Sequence, residues 1–515
     1  MRQFNLHIRQ LWEEKPLSLI LFLAIIARLI AVAFSKGWGM LDDHFLVIEV
    51  AQSWADGYDV NHWLPWTQGN SGPEGHSFFY VGMHYFLFVF LKFIGLSDPQ
   101  GKMFLVRFLH AAWSLLVVYY GYKITERTTS KKTAKQVGLI LALLWFIPWM
   151  SVRNLVEVAA IPLLIISTWM AMVAEEKKHA LKFIFLAGFV GGIAFSVRYQ
   201  TAIFTGGIGL AILLNRKWKE GIFYSVGALF SALLLQGGID LLIWGRPFAE
   251  MGEYIQFNLD NKYNFIQGDW YNYLLLLGGI LIPPISIFIF FGMFSGFRKR
   301  LILFLPMFLF LAFHSYFPNK QERFIFSIVP SLVIAGITGW NEFKDRSVFW
   351  LNHARLYKKI WTFFWVLNFM VFIPVSTMYG KRSRVEAMYQ IHRYKDIREI
   401  VVENSDENYI DIMPQFYAGQ MISTVGVTRN NPLSKDSVNN GKVEENAQFV
   451  FFVGDKNLQN RKKKISQYYP NLVYEATAEP GFVDMVMYRL NPSHNTNHTI
   501  YIYRNRKFFP DKIED

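Results

Sequence analysis

The chain contains no cysteine among its 515 residues. Disulfide bonds, thiol catalysis and cysteine-ligated metal sites are therefore excluded. The sequence also has no HExxH, P-loop or GxSxG motif, and no histidine cluster with metal-ligand spacing. Outside the loops and Arg461–Lys464 it has no tract rich in Lys and Arg, so the net charge of +13 predicts no nucleic-acid partner.

The main feature of the sequence is a series of apolar runs that are long enough to cross a membrane. Hydrophobic residues make up 52% of the chain and aromatic residues 17%, and apolar runs recur from Leu17 to about Met378. Such a series predicts an α-helical polytopic membrane protein with about eleven or twelve membrane segments. The runs lie near residues 17–34, 78–96, 104–122, 137–150, 155–174, 183–196, 202–214, 221–243, 273–294, 301–313, 325–338 and 361–378.

The charge of the connecting loops predicts their side of the membrane. If Phe78–Leu96 lies along or dips into the outer leaflet, the N-terminus and all strongly basic loops become cytoplasmic, as the positive-inside rule requires. Eleven segments then cross the membrane; if Phe78–Leu96 also crosses, there are twelve. The basic loops are Lys123–Lys135, Lys177–Lys182, Arg216–Lys219, Arg298–Arg300 and Lys344–Lys359.

The composition changes after residue 378. We expect a membrane domain over residues 1–378 and a small α/β extracytoplasmic domain over residues 379–515. Arg384–Val402 has helical spacing of charged and apolar residues, and three short runs are typical of β-strands. These runs are Tyr409–Met413, Phe449–Val453 and Val483–Tyr488.

An acidic pair, Asp42 and Asp43, follows the first apolar run by a few residues. A carboxylate at the rim of a bilayer can accept a proton from a sugar hydroxyl, and loss of water there raises its basicity. The alternative is a solvated helix N-terminus, where Asp is favoured by capping and by the helix dipole.

Cationic residues cluster between two apolar runs near Lys320, Glu322 and Arg323. A lipid-linked phosphate lies at headgroup depth and needs such cations, and a planar guanidinium suits it well. The alternative role is contact with lipid headgroups. His314, just before this cluster, is a candidate for orienting a sugar.

Three further charged residues lie at helix ends on the same predicted face. Arg153 and Glu157 are one helical turn apart, which also fits a local salt bridge at the interface. Arg198 lies between two apolar runs and is a candidate phosphate ligand or, alternatively, a side chain that reaches to the headgroups.

Taken in order, these motifs resemble the lipid-phosphate-sugar-dependent mannosyltransferases of glycosyltransferase family 22, which have the GT-C fold. Asp42–Phe45 resembles the family's Asp-Glu-x-Phe, and Arg153–Glu157 resembles its Arg-Thr-x-Ser-Asn region with departures. Asn319–Phe326 resembles its His-Lys-Glu-Glu-Arg-Phe-Ile-Phe, with Asn319 in place of the histidine. The resemblance covers about Met1–Trp340.

The resemblance implies an inverting glycosyltransferase that moves mannose from a polyprenyl-phosphate donor to a glycolipid or glycan acceptor. Asp42 or Asp43 would act as the base. Lys320, Arg323 and Arg198 would bind the donor phosphate, while Arg153, Glu157, His314 and Glu322 would orient the substrates. No metal site or cofactor is expected to be required, although a divalent metal stays open because related oligosaccharyltransferases use one.

The expected location is the plasma (inner) membrane, with the site on the extracytoplasmic side. Two other functions stay open. One is a transporter or flippase of lipid-linked sugars, which would carry polar residues near the bilayer midplane and internal repeats. The other is a GT-C enzyme that transfers a different sugar to lipid or protein.

Overall fold

The computed structural model describes residues 9–67, 69, 72–433, 447–492 and 498–513. The chain forms two compact units. The first comprises Met1–Ala33, Asn61–Met83 and Val106–Thr377, and the second comprises Phe34–Val60, His84–Leu105 and Met378–Asp515. The domain boundary at residue 378 stays a prediction, which limited proteolysis would test.

Helices account for every apolar run that the sequence contains. Within the described ranges, seven helices are long and apolar enough to cross a membrane: Pro16–Phe34, Pro99–Thr128, Val156–Glu176, Ala180–Val197, Trp218–Trp244, Glu322–Lys344 and Ala354–Ser376. Shorter helices are Phe78–Phe93, Lys131–Leu143, Thr201–Leu214, Asn272–Ile280, Ile285–Phe294 and Leu301–Tyr316. The chain is therefore an integral, mostly helical membrane protein, while the number of crossings stays a prediction.

The run at 137–150 is not one helix, contrary to the prediction. The Lys131–Leu143 helix ends where Leu144 becomes extended, and a short helix, Ile147–Met150, follows. The break leaves backbone carbonyls without helical partners. Side chains donate hydrogen bonds to these carbonyls, because unpaired backbone groups are costly within a membrane. Arg28 Nη1 donates to the Ala142 carbonyl at 3.2 Å, and Asn368 Nδ2 donates to the Leu143 carbonyl at 2.8 Å.

The run at 273–294 is also interrupted. The helices Asn272–Ile280 and Ile285–Phe294 are separated by a turn in which Ile282 has a φ of 59° and the Pro283–Pro284 peptide bond is cis. Proline has no backbone N–H to continue the hydrogen-bond ladder, so two consecutive prolines end the first helix.

Glycines allow two helices of the first unit to pack closely. A Cβ added to Gly188 of the Ala180–Val197 helix would overlap the Tyr224 carbonyl, and one added to Gly227 would overlap the Phe185 carbonyl. Small residues at such crossings let helix backbones approach each other in a membrane. Outside the apolar runs, this unit also contains the Ala249–Asp260 helix, which follows the Trp218–Trp244 span.

The second unit contains a five-stranded mixed sheet in the order β2-β1-β3-β5-β4. The strands are β1 Glu399–Asn404, β2 Ser423–Thr428, β3 Phe449–Val453, β4 Leu472–Ala478 and β5 Ile500–Asn505. β1 pairs in parallel with β2 and β3, whereas β5 pairs antiparallel with β3 and β4. β1 and β3 are buried along their whole length, as expected of central strands covered on both faces.

Helices flank this sheet: Arg382–Ile391, Leu458–Ile465 and Phe482–Leu490. The prediction of a small α/β domain is confirmed, and Phe449–Val453 is a strand as predicted. The strand predicted at Tyr409–Met413 has no regular structure, and Val483–Tyr488 is helical. Apolar runs this short do not distinguish a strand from a helix by periodicity. The helical pattern over Arg384–Val402 holds only to Ile391, after which β1 begins at Glu399.

Candidate functional site

Glu157 is the centre of a buried charge cluster in the first unit. It lies in the first turn of the Val156–Val173 helix, and only 1% of its side chain is exposed. Its Oε1 is 3.1 Å from Arg198 Nη2 and 3.7 Å from Arg323 Nε. Its backbone carbonyl also accepts a hydrogen bond from Ser327 Oγ at 3.1 Å. One carboxylate thus holds two guanidinium groups that are far apart in sequence.

Two glutamines and one aromatic ring complete the positions of these arginines. Gln200 Oε1 accepts from Arg198 Nη2 at 2.9 Å, and Gln321 Oε1 accepts from Arg323 Nε at 2.9 Å. Both guanidinium carbons lie over the Phe324 ring, at 5.1 Å for Arg198 and 5.4 Å for Arg323. Glutamine oxygens and a ring face orient cations without neutralising them.

Glu157 therefore has two cationic neighbours. The Arg323 side chain is 9% exposed and that of Arg198 is 13% exposed, so little water screens these ion pairs. Both arginines lie near the start of the Glu322–Lys344 helix, at one end of a membrane-length segment. An anion of single or higher charge that reached this end of the helix would find two guanidinium groups held in place.

Lys320 is directed towards the protein backbone. Its ammonium donates to the carbonyls of His314 at 2.8 Å and Ser315 at 2.9 Å, and also to that of Phe317. These are the carbonyls that the end of the Leu301–Tyr316 helix leaves without helical partners. Burial lowers the pKa of Lys320. This geometry favours a role in fixing the loop before Arg323, and phosphate binding by Lys320 stays a prediction.

The other predicted residues of the first unit have different surroundings. His314 is buried, and its ring stacks on the Phe310 ring at a centroid distance of 4.1 Å. Its Nδ1 lies 2.8 Å from the Phe310 carbonyl oxygen. Arg153 is buried, with its guanidinium carbon 5.2 Å from the centre of the Trp149 ring. Glu322 is exposed. The structure brings together Glu157, Arg198 and Arg323, while the substrate-orienting roles of the others stay predictions.

Asp42 and Asp43 belong to the second unit. They form a helical turn, Leu41–Asp43, in which Asp43 is buried and Asp42 is partly exposed. The Gly39 amide donates to Asp43 Oδ2 at 3.4 Å. Asp42 is thus the more exposed member of the pair.

His44, next to the acidic pair, lies in an aromatic sandwich. Its ring stacks between Trp38, at 5.0 Å, and Tyr417, at 5.4 Å. Its Nε2 is 3.4 Å from Glu49 Oε1, which also accepts from the Phe416 amide at 3.2 Å. These contacts fix the backbone that carries Asp42 and Asp43.

A second group of buried carboxylates lies in the first unit. Glu250 Oε2 accepts hydrogen bonds from the amides of Gly75 at 2.7 Å and His76 at 3.1 Å. Its own amide donates to Asp240 Oδ2 at 3.1 Å. Burial raises the pKa of Glu250 to about 7, although the two amides act in the opposite direction. This arrangement ties the loop before Phe78 to the Ala249–Asp260 helix.

Comparison with known proteins identifies the family. The model of the Alg9-like mannosyltransferase family matches residues 19–419. The chain belongs to this family. It is accordingly a membrane glycosyltransferase of the mannosyltransferase type, as the sequence motifs predicted. Comparison with curated proteins found no match.

Solved structures with a similar fold include two of ArnT from Cupriavidus metallidurans, one with undecaprenyl phosphate bound and one in the apo state. Each has a TM-score of 0.60 at 13% identity, and the alignment with the first covers 94% of this chain and 97% of ArnT. The Archaeoglobus fulgidus oligosaccharyltransferase tethered to an acceptor peptide gives a TM-score of 0.50 at 12% identity, covering 85% and 69% of the two chains. The Alg9-like chain thus has the predicted GT-C fold.

Several contacts of this Alg9-like enzyme were not foreseen. Sequence analysis did not select Gln200 and Gln321, although each stands two residues from an arginine that it holds. Sequence analysis did not select Glu250 either, because no local sequence pattern marks this residue. Among the described residues, no group of three or more His, Asp or Glu side chains is arranged to hold a metal ion.

Proposed function

We propose that this enzyme transfers mannose from a polyprenyl-phosphate donor to a glycolipid or glycan acceptor, with inversion, on the extracytoplasmic face. The observation that carries the proposal is the Glu157 cluster, in which the guanidinium groups of Arg198 and Arg323 lie beside one buried carboxylate. Membership of the Alg9-like mannosyltransferase family supports mannose as the sugar.

The chemistry of the leaving group explains why two guanidinium groups at one place are useful. In a polyprenyl-phosphate sugar, the phosphate is a diester with one negative charge, and a second charge develops as the bond to the sugar breaks. Guanidinium groups already held in place stabilise this charge without reorganising, and they act more strongly on the transition state than on the ground state. ArnT binds undecaprenyl phosphate, and we propose a lipid carrier of the same chemistry here.

Arg198 and Arg323 are the proposed phosphate ligands. A guanidinium group is a planar donor that can offer paired hydrogen bonds to phosphate oxygens. Because the arginines supply the neutralising charge, we propose that a metal is not required. Addition of a chelator to the purified enzyme tests this point, and loss of turnover that a divalent metal restores would contradict it.

Asp42 is the proposed general base. Its partial exposure suits removal of a proton from the acceptor hydroxyl, while Asp43 is buried. Attack by an activated hydroxyl on the side opposite the phosphate inverts the anomeric carbon in one displacement. Asp42→Asn should lower turnover by about 10²- to 10⁴-fold with donor binding retained, and the matched Asp43→Asn variant separates the roles of the two residues.

The proposed membrane side follows from the two ends of one helix. Arg300 Nη1 pairs with Glu342 Oε1 at 2.6 Å, near the end of the Glu322–Lys344 helix opposite Arg323. About 30 Å separates these ends along the helix, which is the thickness of the hydrocarbon core. Because Arg298–Arg300 is one of the basic loops predicted to be cytoplasmic, we propose that the Arg323 end is extracytoplasmic. Single cysteines at residues 299 and 322, probed with an impermeant reagent in intact cells, test this side.

The decisive experiment offers the purified protein a panel of radiolabelled polyprenyl-phosphate sugars with membrane glycolipids as acceptors. We expect transfer from the mannosyl donor and a product of inverted configuration. If the enzyme transfers only a different sugar, that sugar, and not mannose, is its substrate. Movement of intact lipid-linked sugar across a vesicle membrane, without transfer, would favour the flippase instead.

A further inference from the structure

The Phe482–Leu490 helix of the second unit has its apolar side chains on the outside. Phe482 is 72% exposed and Leu490 is 76% exposed, and Val486 between them is also exposed. These residues recur every four positions, so they form one stripe along the helix. Helices of water-soluble domains normally turn such a stripe towards the core.

The polar side of the same helix attaches it to the rest of the second unit. Asp484, on the opposite side, is buried, and its Oδ2 accepts a hydrogen bond from the Lys381 amide at 3.0 Å. Gly481, just before the helix, packs so closely on the Tyr379 carbonyl that a Cβ there would lie 2.8 Å from it. The helix is therefore fixed with its apolar stripe outwards.

The attachment point lies where the chain leaves the membrane. Residues 378–381 follow directly after the Ala354–Ser376 span, and Ser35 follows directly after the Pro16–Phe34 span. Ser35 Oγ donates to the Met378 carbonyl at 3.2 Å, and the Gly380 amide donates to the Lys36 carbonyl at 3.1 Å. Two exits from the bilayer are thus joined at the segment that holds the Phe482–Leu490 helix.

The charges and the size of the stripe favour lipid over protein as its partner. Arg489 is exposed beside the stripe, and Lys381 and Arg382 lie at its attachment, as expected of cations among lipid phosphates. A stripe of three to five side chains is much smaller than the roughly 800 Å² per partner of a stable protein interface. The apolar side chains at the stripe and beside it are Phe482, Met485, Val486, Met487 and Leu490.

We propose that the Phe482–Leu490 helix lies in the headgroup region of the leaflet at which the first and last membrane helices end. Phe482, Val486 and Leu490 then insert into the acyl boundary, and the C-terminal sheet is anchored to the lipid surface through this helix. The proposal concerns lipid contact and does not depend on which sugar or acceptor the enzyme uses.

The absence of cysteine makes the test direct. Phe482→Cys, Val486→Cys and Leu490→Cys, each labelled with an environment-sensitive fluorophore in the full-length protein in lipid nanodiscs, should emit at shorter wavelength than Gln459→Cys. Lipids with a spin label near the headgroup should quench the three helix positions severalfold more than the control. Gln459 lies on the exposed side of the Leu458–Ile465 helix in the same unit.

A second variant separates insertion from a local effect of the label. Val486→Asp combined with Leu490→Asp should remove the quenching at a label on Phe482→Cys, while Gln459→Asp should leave it intact. Equal quenching at all positions, or none, would refute the proposal. Labels that are shielded from lipid but form cross-links between two protein copies would show that a second chain covers the stripe, and would refute it as well.

Discussion

Two buried or half-buried ion clusters at opposite ends of one membrane helix differ in the number of arginines around their carboxylate. Near Lys344, Arg300 pairs with Glu342, whose side chain is 30% exposed. Near Glu322, Glu157 is almost fully buried and faces both Arg198 and Arg323. The first is a simple ion pair, whereas the second brings two guanidinium groups to one place, where we propose that the donor phosphate binds.

This difference sets a structural ion pair against a charge cluster that we propose to be functional. A buried pair costs desolvation that its mutual attraction offsets only in part. Ionisable residues buried at the end of a membrane helix are therefore candidates for a functional site. The predictions below set residues of the two ends against each other.

The largest effect is expected for Glu157→Gln. Removal of the carboxylate takes away the acidic partner that two buried guanidinium groups share, which should lower the free energy of unfolding by about 3–5 kcal/mol. Glu342→Gln should cost less, because Glu342 is 30% exposed and its partner Arg300 keeps a hydrogen bond to the Ser295 carbonyl. Denaturation of both variants in the same detergent measures the difference, and equal losses would remove the distinction between the two ends.

Arg323→Ala is expected to lower transition-state stabilisation by about 2–4 kcal/mol, by analogy with the loss of one oxyanion donor. Arg323→Lys should rescue only part of this, because an ammonium lacks the planar pair of donors. Turnover per folded molecule is the quantity to measure, on monodisperse protein. The matched Arg300→Ala variant should retain normal turnover per folded molecule; a fall equal to that of Arg323→Ala would mean that the loss is not specific to the Glu157 cluster.

The same residues show which features of the fold and of the candidate site can be predicted from the sequence alone. Apolar length predicted the seven membrane-length helices of the described residues, and the Lys-x-x-Arg spacing located Arg323, because both depend on local pattern. The partners of Glu157 lie 41 and 166 positions further along the chain, so the local i,i+4 rule that suggested Arg153 had no means to find them. The break at Leu144 depends likewise on Arg28 and Asn368, which belong to distant helices.

Glu250 is a third type of buried charge, held by backbone amides instead of arginines. Its folded pKa of about 7 is above the usual value near 4.5, so between these pH values the folded protein binds more protons than the unfolded chain. Stability from this group is therefore complete below about pH 4.5 and is lost as the pH rises to about 7, by up to about 3 kcal/mol. Glu250→Gln should flatten the stability profile over this window, and an unchanged slope would assign it to other groups.

The smallest effect is expected for Lys320→Met. Loss of its bonds to the carbonyls of the Leu301–Tyr316 helix should lower stability by about 1–2 kcal/mol. Turnover per folded molecule should fall much less than in Arg323→Ala. The opposite result, with normal stability and a large loss of turnover, would support the role of Lys320 as a phosphate ligand.

Binding of polyprenyl phosphate without its sugar tests the central claim most directly, because it isolates the phosphate from the chemistry of transfer. Affinities of the wild type, Arg300→Ala, and the combined Arg198→Ala and Arg323→Ala variant should be measured in the same nanodiscs. We predict equal affinity for the wild type and Arg300→Ala, and a loss of at least about tenfold, or 1.4 kcal/mol, for the combined variant. Equal affinity in all three proteins would contradict the assignment of the Glu157 cluster to the donor phosphate.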